Sequence, residues 1–165
     1  RAIDAARRRR VSGPVLSVIL LARAAPEAAL AMAALVPGSV DGFIHQLVVV
    51  APDGGEDLSA LCEDAGAVLV RGGLAQGVAA ARREMLLGLP AELRWPEDGL
   101  RRLNQALTRG ARAGVVRGEG EGGLMGAFQA RPYGVLAPRA DFEAGAAGGL
   151  AGMRRRLGGR AVRLV

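Results

Sequence analysis

Val15-Leu-Ser-Val-Ile-Leu-Leu-Ala22 is the stretch on which the fold turns. It is almost continuously apolar, which is what a strand covered on both faces shows; a strand with one wet face would alternate. It is also too short to span a bilayer. Arg23, Pro26 and Glu27 interrupt it well before the roughly 20 apolar residues that a membrane helix needs. Arg7 to Arg10 before it and Arg23-Ala24-Ala25 after it imitate a secretory signal. The run is partly β-branched, however, and a further domain-like alternation follows it. We therefore read residues 15–21 as a first buried strand and residues 1–13 as a basic, mobile leader.

Outward from that strand, apolar runs of strand length alternate with helical periods. Pro26 and Glu27 open a helix, because proline suits a first turn. Leu30, Ala34 and Leu35 are expected to face inward, with Pro37-Gly38 as the stop. Residues 47–51 form a second buried strand. Asp53-Gly54-Gly55 then turns into a helix whose Leu58, Leu61, Cys62 and Ala65 recur at i, i+3, i+4 and i+7, with Gly66 as its C-terminal cap. A third strand covers 67–70, and Gly72-Gly73 breaks it. Leu74, Val78 and Ala81 return to helical spacing, with Arg82, Arg83 and Glu84 as a charged end. Residues 85–89 offer a fourth strand and 90–96 a loop. Leu100, Leu103 and Leu107 share one face of a helix over 97–109, and 113–117 is a fifth strand.

The last third is less regular. Gly118 to Gly123 reads as a linker: it satisfies G-x-G-x-x-G letter by letter, but its two glutamates would repel a pyrophosphate and no helical pattern follows. Residues 124–130 and 133–137 suggest antiparallel strands. A helix starts at Pro138 or Arg139, another lies near 150–157, and 161–165 is a short strand or tail. Strands and helices in this order predict an α/β fold, an open and mostly parallel sheet with helices on both faces.

Composition narrows the function classes. Every one of the 22 basic residues is arginine, against 16 acids, for a net charge of +6. With 25 glycines and abundant alanine, that bias is as consistent with a GC-rich coding sequence as with a selected basic surface. Aromatics make up only 3%, too few rings for a base-stacking platform, so nucleic acid is not the expected partner. One cysteine, Cys62, and one histidine, His45, exclude an intrachain disulfide and Cys- or His-rich zinc sites. The chain reads as cytoplasmic, and any metal would sit on carboxylates. Cys62 is expected in the core and His45 at the rim of a strand.

In an open α/β sheet, ligands bind beyond the carboxyl ends of the strands. Those positions hold Ala22-Arg23, Pro52-Asp53-Gly54-Gly55, Arg71-Gly72-Gly73 and Pro90-Ala91-Glu92. Asp53 can accept a hydrogen bond from a base or ribose, Gly54 and Gly55 allow close backbone approach, and Arg23 or Arg71 can balance a diphosphate. The same Asp-Gly-Gly equally suits an ordinary turn.

At these residues the chain resembles the family 2 glycosyltransferases of GT-A fold, over roughly residues 14–165. The stretches that carry the resemblance are Val15 to Arg23, Leu47-Val-Val-Val-Ala-Pro-Asp-Gly-Gly55, Gly66-Ala-Val-Leu-Val70, and Gly77 to Arg82 leading into Leu86-Leu-Gly-Leu-Pro-Ala-Glu92. The chain looks most similar to short bacterial members with a Ser-Asp-Gly-Gly-Ser turn and a Pro-Tyr-Gly segment, which stands here as Pro132-Tyr133-Gly134. The resemblance implies one GT-A-like domain over 14–165 that binds a nucleotide-diphospho-sugar and transfers the sugar to an acceptor hydroxyl. It places the nucleobase contact on Asp53, and Ala22, Arg23, Gly54, Gly55 and Arg71 complete the nucleotide-binding set.

The resemblance also implies a divalent metal, Mg²⁺ or Mn²⁺. Where the family carries an Asp-x-Asp-type motif this chain reads Pro90-Ala91-Glu92, which leaves Glu92 as its ligand. A Mg²⁺ ion can be held by one carboxylate with phosphates and water. The family's C-terminal Glu-Asp pair, source of the base, falls near 146–149, where no acid stands; Asp141 and Glu143 are the nearest. No catalytic residue is assigned on that basis, and loss of a base removes about 10²–10⁴ in rate.

The alternative reading is therefore a non-catalytic GT-A-like binding or scaffolding module. A nucleotidyltransferase ranks below both, because Leu21-Ala-Arg-Ala-Ala-Pro26 lacks the glycine-rich loop such a site wants. The acceptor and the oligomeric state are not specified by the sequence, and an oligomer is compatible with it.

Overall fold

A computed structural model describes residues 14–119 and 132–165. The chain runs β1 (Leu16–Leu21), α1 (Ala25–Val40), β2 (Ile44–Ala51), α2 (Glu56–Asp64), β3 (Val68–Arg71), α3 (Leu74–Ala80), β4 (Met85–Pro90), α4 (Gly99–Thr108), β5 (Gly114–Arg117), β6 (Tyr133–Pro138), α5 (Arg139–Gly145), α6 (Gly149–Leu157) and β7 (Val162–Arg163). Short 3-10 turns at Ala146–Gly148 and Gly158–Arg160 flank α6. The leader expected over 1–13 and the strand expected over 124–130 lie outside the described residues, as does most of the expected linker.

Among the described residues seven strands form one sheet of order β3-β2-β1-β4-β6-β5-β7. β1 pairs in parallel with β2 and β4, β2 with β3, and β5 with β7, while β6 runs antiparallel to β4 and β5. The open, mostly parallel sheet expected from the alternation is what forms. β1 is central and is buried almost throughout, which accounts for its unbroken apolar run. One face packs Leu16, Val18, Leu20 and Leu87 against α1, α2 and α4; the other packs Ile19, Val48, Leu86 and Val135 against α3, α5 and α6.

Two expectations for α1 are corrected. Leu30 is 59% exposed, and the inward stripe is instead Ala28, Ala31, Met32 and Leu35. Those residues also follow i, i+3, i+4 and i+7. Nor does Pro37-Gly38 end the helix, which continues to Val40. Proline removes one hydrogen bond here, but Pro37 O still accepts the Asp41 N–H at 2.9 Å. Packing fixes the last turn: a Cβ on Gly38 would fall 2.4 Å from Ile44 Cδ1 and 3.0 Å from Phe43 Cζ.

After α3, Arg82 and Arg83 leave the helix, contrary to the charged helical end expected there. Their backbone N–H groups are taken by a buried polar node. Ser17 Oγ, fully buried, donates to Gln46 Oε1 at 2.7 Å and accepts from Arg82 N at 3.3 Å and Arg83 N at 3.2 Å. Gln46 Nε2 closes the node on Ala80 O at 3.1 Å. His45 is exposed at the rim, as expected, with Nε2 3.0 Å from Gly42 O. Cys62 is buried in the core, and burial pushes its thiol up from the usual pKa.

α3 lies on the sheet through Gly77, where a Cβ would meet Ile19 Cγ2 and Val50 Cγ2 at 2.6 Å. Gly77→Val is therefore expected to cost about 1–3 kcal/mol by overpacking, read as a lower denaturation midpoint.

Candidate functional site

The parallel register sets four chain ends level. Leu21 stands opposite both Val50 and Pro90, and Ala51 opposite Arg71. Backbone hydrogen bonds extend this alignment into the loops: Ala22 N–H donates to Val50 O at 3.0 Å, Gly72 N–H to Ala51 O at 3.0 Å, and Ala91 N–H to Leu21 O at 2.8 Å. Beyond them opens a cleft of about 290 Å³, bounded by Ala22, Arg23, Pro52, Gly72, Gly73, Glu92 and Gly149 over an apolar floor of Leu21, Val50 and Leu74.

Of the residues singled out in the sequence, Ala22, Arg23 and Glu92 line this cleft and Asp53, Gly54, Gly55 and Arg71 do not. Ala22 is buried and contributes backbone. Arg23 is exposed, on a loop held by Glu27, whose Oε1 accepts the backbone N–H groups of Arg23 and Ala24. Glu27 thereby fills the capping role at the start of α1. Asp53 is exposed on the neighbouring turn. Gly54 has φ +53°, a conformation glycine adopts freely, and a Cβ there would sit 3.4 Å from Arg71 Cγ and Nε. Asp53, Gly54 and Arg71 thus form a ledge beside the cleft. The Gly73 N–H is already taken by Gln76 Oε1 at 2.9 Å.

Gly149 was not singled out in the sequence. It has φ +62° and opens α6, and it reaches the cleft because β4 passes beneath α5 and α6 at Gly88. A Cβ on Gly88 would be 2.8 Å from Leu150 Cδ2 and 3.2 Å from Phe142 Cε1. The paired glycines Gly148-Gly149 ahead of a helical stretch were the available signal.

Among the described residues no group of three His, Cys, Asp or Glu side chains is placed to hold a metal, and Glu92 is the one carboxylate lining the cleft. That donor set fits an ion carried in by a diphosphate, which supplies the remaining oxygens. Asp141 is not placed to act as a base here. It follows β6, whose Pro138 pairs with Met85 at the amino end of β4, so it stands at the opposite edge of the sheet, 3.6 Å from Arg156 and 3.3 Å from Arg160. Glu143 is exposed and 3.9 Å from Arg139. Ala146 is buried.

No protein-family model matches the chain, and no curated protein matches it significantly. Solved structures do. Glucosyl-3-phosphoglycerate synthase from Mycobacterium tuberculosis, in complex with Mn²⁺, UDP-glucose and phosphoglyceric acid, aligns with TM-score 0.59 and 20% identity over 92% of this chain and 69% of that one. Mannosyl-3-phosphoglycerate synthase from Rubrobacter xylanophilus aligns with TM-score 0.58 and 18% identity over 84% of this chain and 58% of that one. The fold is GT-A-like.

At these identities the likeness concerns architecture. The chain spans between 58% and 69% of the length of these two GT-A structures. Among the described residues no helix is long and apolar enough to cross a membrane.

Proposed function

We propose that residues 14–165 form a nucleotide-sugar-binding domain of the glycosyltransferase kind, taking a nucleoside-diphospho-sugar at the carboxyl ends of β1 to β4. The observation that carries this reading is the cleft in which Arg23 and Glu92 face glycine backbone over an apolar floor. Its support is the architecture shared with synthases whose structures hold UDP-glucose or UDP with Mn²⁺. In this reading Arg23 balances the diphosphate, Gly72 lets it approach the backbone, and the Asp53 ledge meets the base. A divalent ion, when bound with the diphosphate, neutralises the charge that develops on the leaving group, and Glu92 is the residue that would hold it. The sugar would pass to an acceptor hydroxyl. The acceptor would approach from the side of Gly149, which lines the cleft.

One observation favours the binding-module reading: the cleft has a single acid among the described residues, and buried Ala146 stands where the family's base is expected. Binding is therefore expected to be robust and turnover slow, by about 10²–10⁴ for want of a base. UDP or GDP with Mn²⁺ should stabilise the fold by about 2.7 kcal/mol at a hundred times Kd, several degrees in Tm for a chain of this size. Glu92→Gln should remove the metal-dependent part of that shift. No shift at millimolar nucleotide would rule out both readings; a shift without sugar transfer would select the binding module.

A further inference from the structure

A cavity larger than the nucleotide cleft lies elsewhere on the described surface. About 940 Å³ in volume, it opens between the end of α4 and the segment leading into β7. Ala113 and Val162 line it at the amino ends of β5 and β7, with Pro138 beside them, so it occupies the opposite edge of the sheet from Arg23 and Glu92. Five arginines surround it, Arg102, Arg109, Arg112, Arg160 and Arg163, with Asp141 as the single acid. Asp98 holds Arg102 at 2.8 Å, and Asp141 is shared by Arg156 and Arg160. Among the described residues Arg109 and Arg112 have no carboxylate within 4.0 Å.

We propose that this cavity is a second anion site, separate from the nucleotide cleft, and that its ligand is a small compound carrying two phosphate groups. Composition explains why the basic residues are arginines; it does not explain why five of them ring one cavity. Like charges gathered around an apolar floor focus the field and draw in anions. Guanidinium forks match phosphate oxygens two at a time, and here they come from two walls, Arg109 and Arg112 on one and Arg160 and Arg163 on the other. Two linked phosphates offer both pairs of arginines their own oxygens, whereas a single phosphate has fewer to share between them. The lining contains no aromatic ring, so nothing stacks a nucleobase, which points away from nucleotides and single-stranded nucleic acid.

Calorimetric titration of the full chain with inorganic pyrophosphate, in chelator to remove metal, tests the proposal. Saturable one-to-one binding that weakens with added salt is expected. Arg109→Gln with Arg112→Gln should weaken it by about tenfold or more, while Arg23→Gln with Glu92→Gln leaves it unchanged. Asp141→Asn, which frees Arg156 and Arg160, should tighten it. Absence of saturable binding at millimolar pyrophosphate overturns the proposal. So does a double arginine variant that stays folded and binds like the parent, since those arginines then serve only the carbonyl end of α4. Loss of binding in the Arg23/Glu92 variant would assign pyrophosphate to the other cleft. The UDP-induced Tm shift is expected to survive Arg109→Gln with Arg112→Gln, so failure here is distinguishable from failure of the nucleotide reading.

Discussion

Phe142→Ala is expected to cost about 3–5 kcal/mol, the range for truncating a buried aromatic. Phe142 is completely buried and packs in the cluster that joins Leu86, Val135, Ala137, Met153 and Leu157. It is the one buried residue of α5, so truncation leaves that short helix without its anchor. For a domain of ordinary stability this is a third or more of the total. Urea denaturation should show a much lower midpoint, and Phe142→Leu should recover most of it. A loss below about 1 kcal/mol would mean that α5 is held by other contacts. Phe142 also lies with Leu150 against Gly88. Gly149, adjacent to Leu150, should therefore loosen, and nucleotide affinity should fall even where the variant is folded.

Arg139→Met is the second large effect, about 2–3 kcal/mol. The last carbonyls of a helix have no intrahelical partner, and one guanidinium takes Val78 O near the end of α3 together with two carbonyls just beyond it. Arg139 donates to Val78 O at 2.9 Å, to Ala81 O, and to Arg83 O at 3.2 Å. Methionine keeps much of the stem's packing and removes the donors. Lysine restores the charge without the fork, so Arg139→Lys should recover less than half of the loss. Hydrogen exchange should accelerate across residues 78–84 in both variants; unchanged protection there would contradict the assigned role. Since α3 begins at the cleft with Leu74, the two effects bear on opposite walls of one site.

The architecture was legible because the central strands β1 and β4 are buried on both faces and the flanking helices carry apolar residues at helical spacing. Reading failed where a small-residue stripe competed with a leucine. In α1 the alanines at 28 and 31 face the sheet while Leu30 faces out, since an alanine-rich helix offers little contrast between its sides. It failed again at Pro37, where contacts of Gly38 with Phe43 and Ile44 outweigh a local stop signal. The candidate site was half legible. Arg23 and Glu92 followed from strand order and the strand-end rule, as did the neighbourhood of Asp53. That Arg71 would lie over Gly54, and that Gly149 would close the cleft, depends on contacts between residues far apart in sequence. The arginine-lined cavity was invisible, because its walls come from α4 and β7, which are brought together only by the pairing of β5 with both β6 and β7.

The proposed binding of a nucleoside diphosphate in the carboxyl-end cleft is open to amide chemical-shift mapping with UDP and Mg²⁺. Saturable shifts are expected at Ala22, Arg23, Gly72, Gly73, Glu92 and Gly149, smaller ones at Asp53 and Gly54, and none around Arg109 and Arg112. Shifts confined to Arg109, Arg112 and Arg160, or none at millimolar nucleotide, would contradict the proposed binding.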